Sequence, residues 1–244
     1  MNRSSDLTRF YLVLSKLKKR LGGVRTLAQC HGRMGWPQRG IYFFFENSEK
    51  RFGQCEEARV VRVGTHALKL ESRSSLWQRL SQHRGTNAGG GNHRGSIFRL
   101  LVGESMKGEG RFHEVVSWDV GNDIPYAANQ LMLSRAAVGE LELPLEMGVS
   151  EYIRAMPFLW IAVEDESGAA SHRGIIERGS IALLSNYGRT PIDPASATWL
   201  GTKCSRERVR ASGLWNNNHV QENYDPAFLD VLEHYVENTF LNLT

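Results

Sequence analysis

A few polar side chains have the types and spacing that chemistry at a phosphate ester requires. Arg79 and His83 are four residues apart, so on a helix they share one face. A guanidinium there could make a forked contact with a phosphate, and the imidazole would lie within one turn of it. The alternative is a solvated polar face opposite Leu76 and Leu80.

Glu177 is a candidate ligand for a divalent cation. It follows Ile175 and Ile176 in a segment with helical spacing. One carboxylate suffices for Mg²⁺, which commonly completes its coordination with waters and substrate phosphate oxygens. The alternative is a surface glutamate that pairs with Arg173 or Arg178.

Tyr42 is a candidate general base. A tyrosine could take a proton from water only if neighbouring cations or a metal-bound water depress a pKa that is ordinarily near 10. The alternation of strand side chains puts Tyr42 and Phe44 on one face and Phe43 and Phe45 on the other. The alternative is therefore a strand tyrosine that only packs with its aromatic neighbours.

Three strands and several helices must position these side chains. Aromatic and branched residues predict strands at residues 40–45, 60–64 and 157–163, the first two joined by a long polar connection over residues 46–59. Helical spacing and Ser caps predict the following helices: residues 6–21, 75–83, 97–103, 149–156, 171–186, and a last helix that begins at Asp225-Pro226.

Charge is distributed unevenly along the chain. The net charge is +8 over residues 1–40, +5 over residues 41–111 and −8 over residues 112–170. A basic first half of this size is typical of a protein that binds a phosphate backbone. A solvated basic helix is the alternative explanation for much of it.

Composition indicates a soluble globular protein of 244 residues, with 41% hydrophobic residues and a formal net charge of only +4. The longest apolar runs fall far short of the roughly 20 residues that a membrane-spanning helix needs. Lysines and arginines interrupt the first apolar stretch, so we expect no signal peptide and a cytoplasmic location. Cys30, Cys55 and Cys204 lack metal-site spacing, and we expect ordinary thiols.

The order of these residues resembles a GIY-YIG nuclease domain. Gly40-Ile41-Tyr42 begins one strand, Arg62-Val63-Gly64 ends the next, a helix carries Arg79 and His83, and a later helix carries Glu177. The resemblance implies an α/β (α+β) fold with a small three-stranded antiparallel sheet flanked by helices. The sequence departs from the family pattern at Arg62, which replaces the tyrosine of the second motif. A cation there could hold a phosphate or lower a neighbouring pKa.

The resemblance implies a DNA endonuclease that depends on Mg²⁺ or Mn²⁺. Its implied catalytic residues are Tyr42, Arg62, Arg79, His83 and Glu177, with Glu177 as the metal ligand. We expect the basic glycine-rich segment over residues 85–95 and its flank to contact DNA. The candidate DNA contacts are Arg84, His93, Arg94 and Asn186, and for Asn186 a helix C-cap is the alternative.

We expect three parts in the chain. A basic helical segment covers residues 1–35, the nuclease-like core covers residues 36–190 with an insertion at about 85–155, and a helical extension packed on the core covers residues 191–244. The alternative function is a non-catalytic nucleic-acid-binding module on the same fold. The expected partner is DNA, without a membrane, and a homodimer would allow both strands to be cut.

Overall fold

The computed structural model describes residues 2–168 and 170–239, and within them four strands form one antiparallel sheet. In chain order they are β1 (Arg25–Thr26), β2 (Gly40–Arg51), β3 (Gln54–Gly64) and β4 (Pro157–Ala162). Their order across the sheet is β1, β4, β2, β3. The predicted α+β fold with a small antiparallel sheet is therefore confirmed. The short β1 is the one addition to the three predicted strands.

Helices surround this sheet. In the described ranges the α-helices are α1 (Arg3–Arg20), α2 (Leu76–Arg84), α3 (Ile97–Gly108), α4 (Ile124–Leu131), α5 (Arg135–Ala155), α6 (His172–Leu184), α7 (Glu207–Ser212) and α8 (Phe228–Glu237). None of these helices combines the length and apolar character needed to cross a membrane.

The β2–β3 hairpin is longer than predicted. Arg51 pairs with Gln54, so the connection is only Phe52-Gly53, and Gly53 has the left-handed φ of 73° that such a turn favours. The prediction of a long connection over residues 46–59 was wrong. Those polar residues continue both strands, with register shifts after Phe44 and Phe45. The buried ones among them, such as Glu46 and Glu49, have hydrogen-bond partners far away in the sequence.

Serine caps begin the two helices that carry the candidate site, as predicted. Ser75 accepts a hydrogen bond from the Gln78 backbone at the start of α2, and Ser171 accepts one from Gly174 at the start of α6. The predicted pieces at residues 97–103 and 149–156 are parts of the longer helices α3 and α5. The last helix begins at Phe228 rather than at Pro226, because residues 226–227 form a turn first.

The two faces of β2 pack as its alternation predicts. Phe43 contacts Phe10 of α1, with ring centroids 5.9 Å apart. On the opposite face, Tyr42 lies against Phe44 and His83. The sheet is thus covered on both sides, and the candidate site belongs to the face that carries α2.

The C-terminal segment covers the outer edge of β3. The Trp215 backbone N–H donates to the Val61 carbonyl at 2.7 Å. The Asn216 side chain both accepts from and donates to the Val63 backbone, at 3.2 and 2.9 Å. These bonds satisfy edge groups that would otherwise be free to pair with another chain.

A buried carboxylate fastens the same segment to the sheet. Glu46 on β2 accepts hydrogen bonds from the indoles of Trp199 and Trp215 at 3.0 and 2.7 Å and from the Tyr152 hydroxyl at 2.8 Å. Burial raises the pKa of Glu46, and the three donors oppose that shift. The three donors offset the cost of burying the carboxylate.

Replacing Glu46 with alanine should destabilise the protein by about 3–5 kcal/mol, because three buried donors lose their common acceptor. Glu46→Gln should cost less, since its amide keeps one acceptor oxygen. Glu56→Ala is the matched control, because Glu56 is an exposed position on β3, and it should change stability by no more than about 0.5 kcal/mol. Urea unfolding measures the free energy of unfolding of all three variants. Equal stability of Glu46→Ala and Glu56→Ala would contradict the anchoring role of Glu46.

Candidate functional site

Tyr42 reaches the site by lying across Gly64. The two residues are direct partners in the β2–β3 ladder. A Cβ atom on residue 64 would overlap the Tyr42 hydroxyl. Glycine is therefore required at position 64 for the tyrosine to extend over β3 toward α2.

A buried hydrogen-bonded chain runs from this tyrosine into the insertion. The Tyr42 hydroxyl lies 2.8 Å from His83 Nε2, and His83 Nδ1 lies 2.7 Å from the Ser96 hydroxyl. All three side chains are buried. Burial, reinforced by the charges of Arg79 and Arg62, holds the pKa of His83 well below its usual range. The imidazole is therefore neutral at pH 7.

Ser96 favours one tautomer of His83. The Ser96 oxygen already accepts the backbone N–H of Arg99, which leaves its own hydrogen to be placed. Among the described residues, the acceptor for that hydrogen is His83 Nδ1. The other ring nitrogen then carries the proton and donates it to the Tyr42 oxygen.

Arg62 is held beneath the site by the C-terminal extension. It stands on β3 opposite Phe44, and its guanidinium donates to the Trp215 carbonyl and lies over the Phe98 ring at 5.5 Å. Its Nε is buried and has no hydrogen-bond partner in the described part of the chain. Arg62, predicted to stand in place of the second-motif tyrosine, is therefore a buried cation whose charge acts on His83 and Glu177 and whose Nε has unused donor capacity.

Glu177 lies next to the end of β3. Its Oε1 accepts the backbone N–H of Thr65 at 3.1 Å, directly after Gly64. Burial raises the pKa of Glu177, and the positive charge of Arg62 is the largest opposing influence. The alternative pairing with Arg173 is not observed, because Arg173 pairs with Asp165.

The donor set around Glu177 fits a magnesium-type cation and not a closed metal site. Its Oε2 has no hydrogen-bond partner among the described residues. Within the same residues, no group of three or more His, Cys, Asp or Glu side chains could enclose a metal. A single carboxylate with a free oxygen suits Mg²⁺ or Mn²⁺, which take most of their remaining ligands from water and phosphate. It does not suit tetrahedral zinc.

Arg79 stands at the mouth of the site. It is partly exposed, and its guanidinium donates to Gln82 at 3.0 Å. Its charge and that of Arg62 act on the pKa of both His83 and Glu177. Of the five predicted site residues, Tyr42 and His83 are in direct contact, and Arg62 and Arg79 act on the pKa of His83 and Glu177. Arg79 and Glu177 are the two that are partly exposed.

Two of the predicted DNA contacts lie inside the protein. His93 stacks on Trp118 and bonds to Glu146 at 2.9 Å, and Arg94 forms a forked pair with Glu142 at 2.7 and 2.8 Å. The Arg94 side chain is only 4% exposed. Acidic residues of the insertion bind both side chains, so neither residue is free to contact DNA.

The other two predicted contacts also have internal partners. Asn186 is buried, accepts a hydrogen bond from Arg3 and donates to the Asp193 carbonyl, both at 3.0 Å, so it is not free to contact DNA. Arg84 donates to the Leu27 carbonyl and to Asn87 but keeps part of its surface exposed. Arg84 alone of the four remains a predicted DNA contact.

Sequence reasoning missed residues that the fold adds to the site. Ser96 belongs to no motif, and His219 has no metal-ligand spacing. His219 has a left-handed φ of 65°, bonds to Glu222 at 2.7 Å and lowers the pKa of Glu177. Its three-residue spacing from Glu222 was the only available signal, and such spacing is common on exposed surfaces.

Comparison with known proteins agrees with this geometry. No curated protein and no solved structure matches the chain. The family model described as "GIY-YIG domain" matches residues 1–241, nearly the whole sequence. GIY-YIG domains are generally nucleases. With this match over nearly the whole sequence, the chain belongs to the GIY-YIG domain family.

Proposed function

We propose that the protein is a metal-dependent endonuclease that hydrolyses phosphodiester bonds in DNA. The observation that carries this proposal is that the charges of Arg79 and Arg62 both act on Glu177 and on His83, which bonds to the buried Tyr42. A carboxylate suited to a cation and a guanidinium suited to a phosphate are therefore near enough to influence each other. Family membership supports the reaction class.

Arg79 binds the scissile phosphate. Its guanidinium is partly exposed and can direct its remaining N–H groups at two phosphate oxygens. Arg62 lies deeper and adds positive charge, which stabilises the extra negative charge that the phosphate gains as water attacks. The replacement of the second tyrosine by Arg62 thus keeps a phosphate-directed group in the site.

Glu177 holds the divalent cation through its free oxygen. When bound, such a cation lowers the pKa of a coordinated water and stabilises charge on phosphate and leaving oxygens. The bond from the Thr65 N–H fixes the other oxygen and thereby the direction of the carboxylate.

Tyr42 and His83 hold a proton beneath the reacting groups. Both side chains are fully buried, so we assign them a positioning role. Their shared hydrogen bond keeps a proton between them, and neither contacts the phosphate directly. His83 stays neutral and donates through Nε2 to the Tyr42 oxygen. Ser96 maintains that direction of donation.

The charge distribution supports DNA as the substrate. Part of the basic N-terminal charge is consumed internally, since Arg9 and Lys16 pair with residues of α8. Other cations such as Lys18, Lys19 and Arg33 remain exposed. They provide long-range attraction for a phosphate backbone. The homodimer stays a prediction.

Alanine at Arg79 or Glu177 should reduce cleavage of supercoiled plasmid by at least about 100-fold, since each removes charge stabilisation that is specific to the transition state. Cleavage is measured at low salt with Mg²⁺ or Mn²⁺. Arg135→Ala and Glu140→Ala are the matched controls, because both residues are exposed on α5. They should cleave at the wild-type rate.

Binding of the same DNA should persist in the Arg79 and Glu177 variants. Wild-type cleavage in both variants would refute the proposed site. Absence of cleavage by the wild type, together with tight and salt-sensitive DNA binding, would replace the proposal with the non-catalytic binding module.

Ser96→Ala should change the tautomer of His83, because Nδ1 loses its only donor in the described structure. ¹⁵N NMR of the imidazole reports the tautomer directly. Loss of one hydrogen bond worth about 1 kcal/mol should slow cleavage by up to about tenfold. Ser96→Thr keeps the hydroxyl and should restore both the tautomer and the rate. An unchanged ¹⁵N pattern in Ser96→Ala would contradict the role of Ser96.

A further inference from the structure

A cavity of about 290 Å³ lies beside Arg79, between the loop after β3 and α2. Of its lining residues, only Arg79 takes part in the proposed cleavage reaction. The side chains with hydrogen-bonding groups along its wall are His66, Lys69, Ser72, Ser74, Arg79 and Gln82.

Most of these groups suit an anion. Lys69 and Arg79 bring two positive charges, and the Ser72 and Ser74 hydroxyls, 3.4 Å apart, can both donate. The Arg79 Nε is buried and has no partner among the described residues. A phosphate group would satisfy these donors.

His66 supplies the opposite kind of group. Its Nε2 lies 3.1 Å from the Gln38 carbonyl, which can only accept, so Nε2 must carry the proton. The other nitrogen, Nδ1, is then a bare acceptor. It is buried without a partner in the described structure, in a side chain that is only 6% exposed.

The Nδ1 of His66 stays unprotonated in neutral solution. Burial, with smaller effects from Arg173, Arg79 and Arg39, lowers the pKa of His66 to about 4. A buried acceptor without a donor is costly, which makes its presence in a cavity wall informative. A phosphodiester alone cannot satisfy it, because a phosphodiester carries no proton to donate.

The loop that presents His66 is held in place by buried contacts. Arg173, which is fully buried, donates to the His66 carbonyl, and Ser167 donates to the Ala67 carbonyl at 2.6 Å. These bonds tie the loop to α6 and to the segment that leads into it. The acceptor and the cations are thus preorganised in one wall.

We propose that this cavity, the His66 pocket, binds a nucleotide of the substrate adjoining the cleaved phosphate. The nucleotide's phosphate bonds to Lys69 and Arg79, and an N–H of its base donates to His66 Nδ1. The proposal rests on the proposed function in one respect, since Arg79 serves both the pocket and the scissile phosphate. It identifies the substrate as a strand whose flanking nucleotide enters a polar pocket.

Nucleotide binding, measured without cleavage, tests the pocket. Protein labelled with ¹⁵N-histidine is titrated with dAMP, AMP, deoxyribose 5-phosphate or inorganic phosphate, without divalent metal. We expect dAMP or AMP to shift His66 Nδ1, with inorganic phosphate having a much smaller effect. A response to dAMP but not to deoxyribose 5-phosphate identifies the base as the donor. A response to AMP alone, or equal responses to dAMP and deoxyribose 5-phosphate, would identify a sugar hydroxyl that an internal DNA nucleotide lacks, and would overturn the proposal.

Two variants separate the cation from the acceptor. Lys69→Gln should weaken nucleotide binding severalfold, whereas Lys50→Gln, an exposed position on β2, should leave it unchanged. His66→Phe should remove the preference for nucleotide over inorganic phosphate. Equal shifts with phosphate and nucleotide, or unchanged nucleotide binding in Lys69→Gln, would overturn the proposal.

The nucleotide-binding test does not depend on whether the protein cleaves DNA. Glu177→Ala should bind nucleotides as the wild type does, because Glu177 does not line the pocket. Nucleotide binding without any cleavage would refute the proposed function and keep the pocket. Cleavage without nucleotide binding would support the proposed function and refute the pocket.

Discussion

The approach of Tyr42 to Gly64 determines how the rest of the site is arranged. Because residue 64 has no Cβ, the tyrosine can lie across β3 and place its hydroxyl on His83. The same strand end continues into Thr65, whose N–H holds Glu177. One close approach between neighbouring strands therefore connects the buried hydrogen-bonded chain with the carboxylate at the mouth.

The insertion and the C-terminal extension complete this site. Arg99, fully buried, donates to the His83 carbonyl at 2.9 Å and pairs with Glu146 of α5, so the insertion holds α2 where His83 meets Tyr42. The extension positions Arg62 through the Trp215 carbonyl and covers the edge of β3. A smaller core without these parts would leave His83 and Arg62 poorly supported.

The sequence predicted what depends on local pattern. Strand alternation gave the face on which Tyr42 lies, and the serine caps gave the starts of the helices that carry Arg79 and Glu177. It failed where a charged residue has a remote partner. Arg94 and Glu142 are 48 residues apart, and the donors to Glu46 are 106 to 169 residues away. Such residues look like solvated surface until the chain is folded.

In the proposed reaction, Arg79 and Glu177 act on the same phosphate. A double-mutant cycle tests this shared action most directly. Single-turnover cleavage rates of a labelled DNA duplex are compared for the wild type, Arg79→Ala, Glu177→Ala and the double variant. Residues that act as one unit show strongly non-additive effects. We predict that the double variant cleaves about as slowly as the slower single variant. Losses that multiply fully would contradict a shared site.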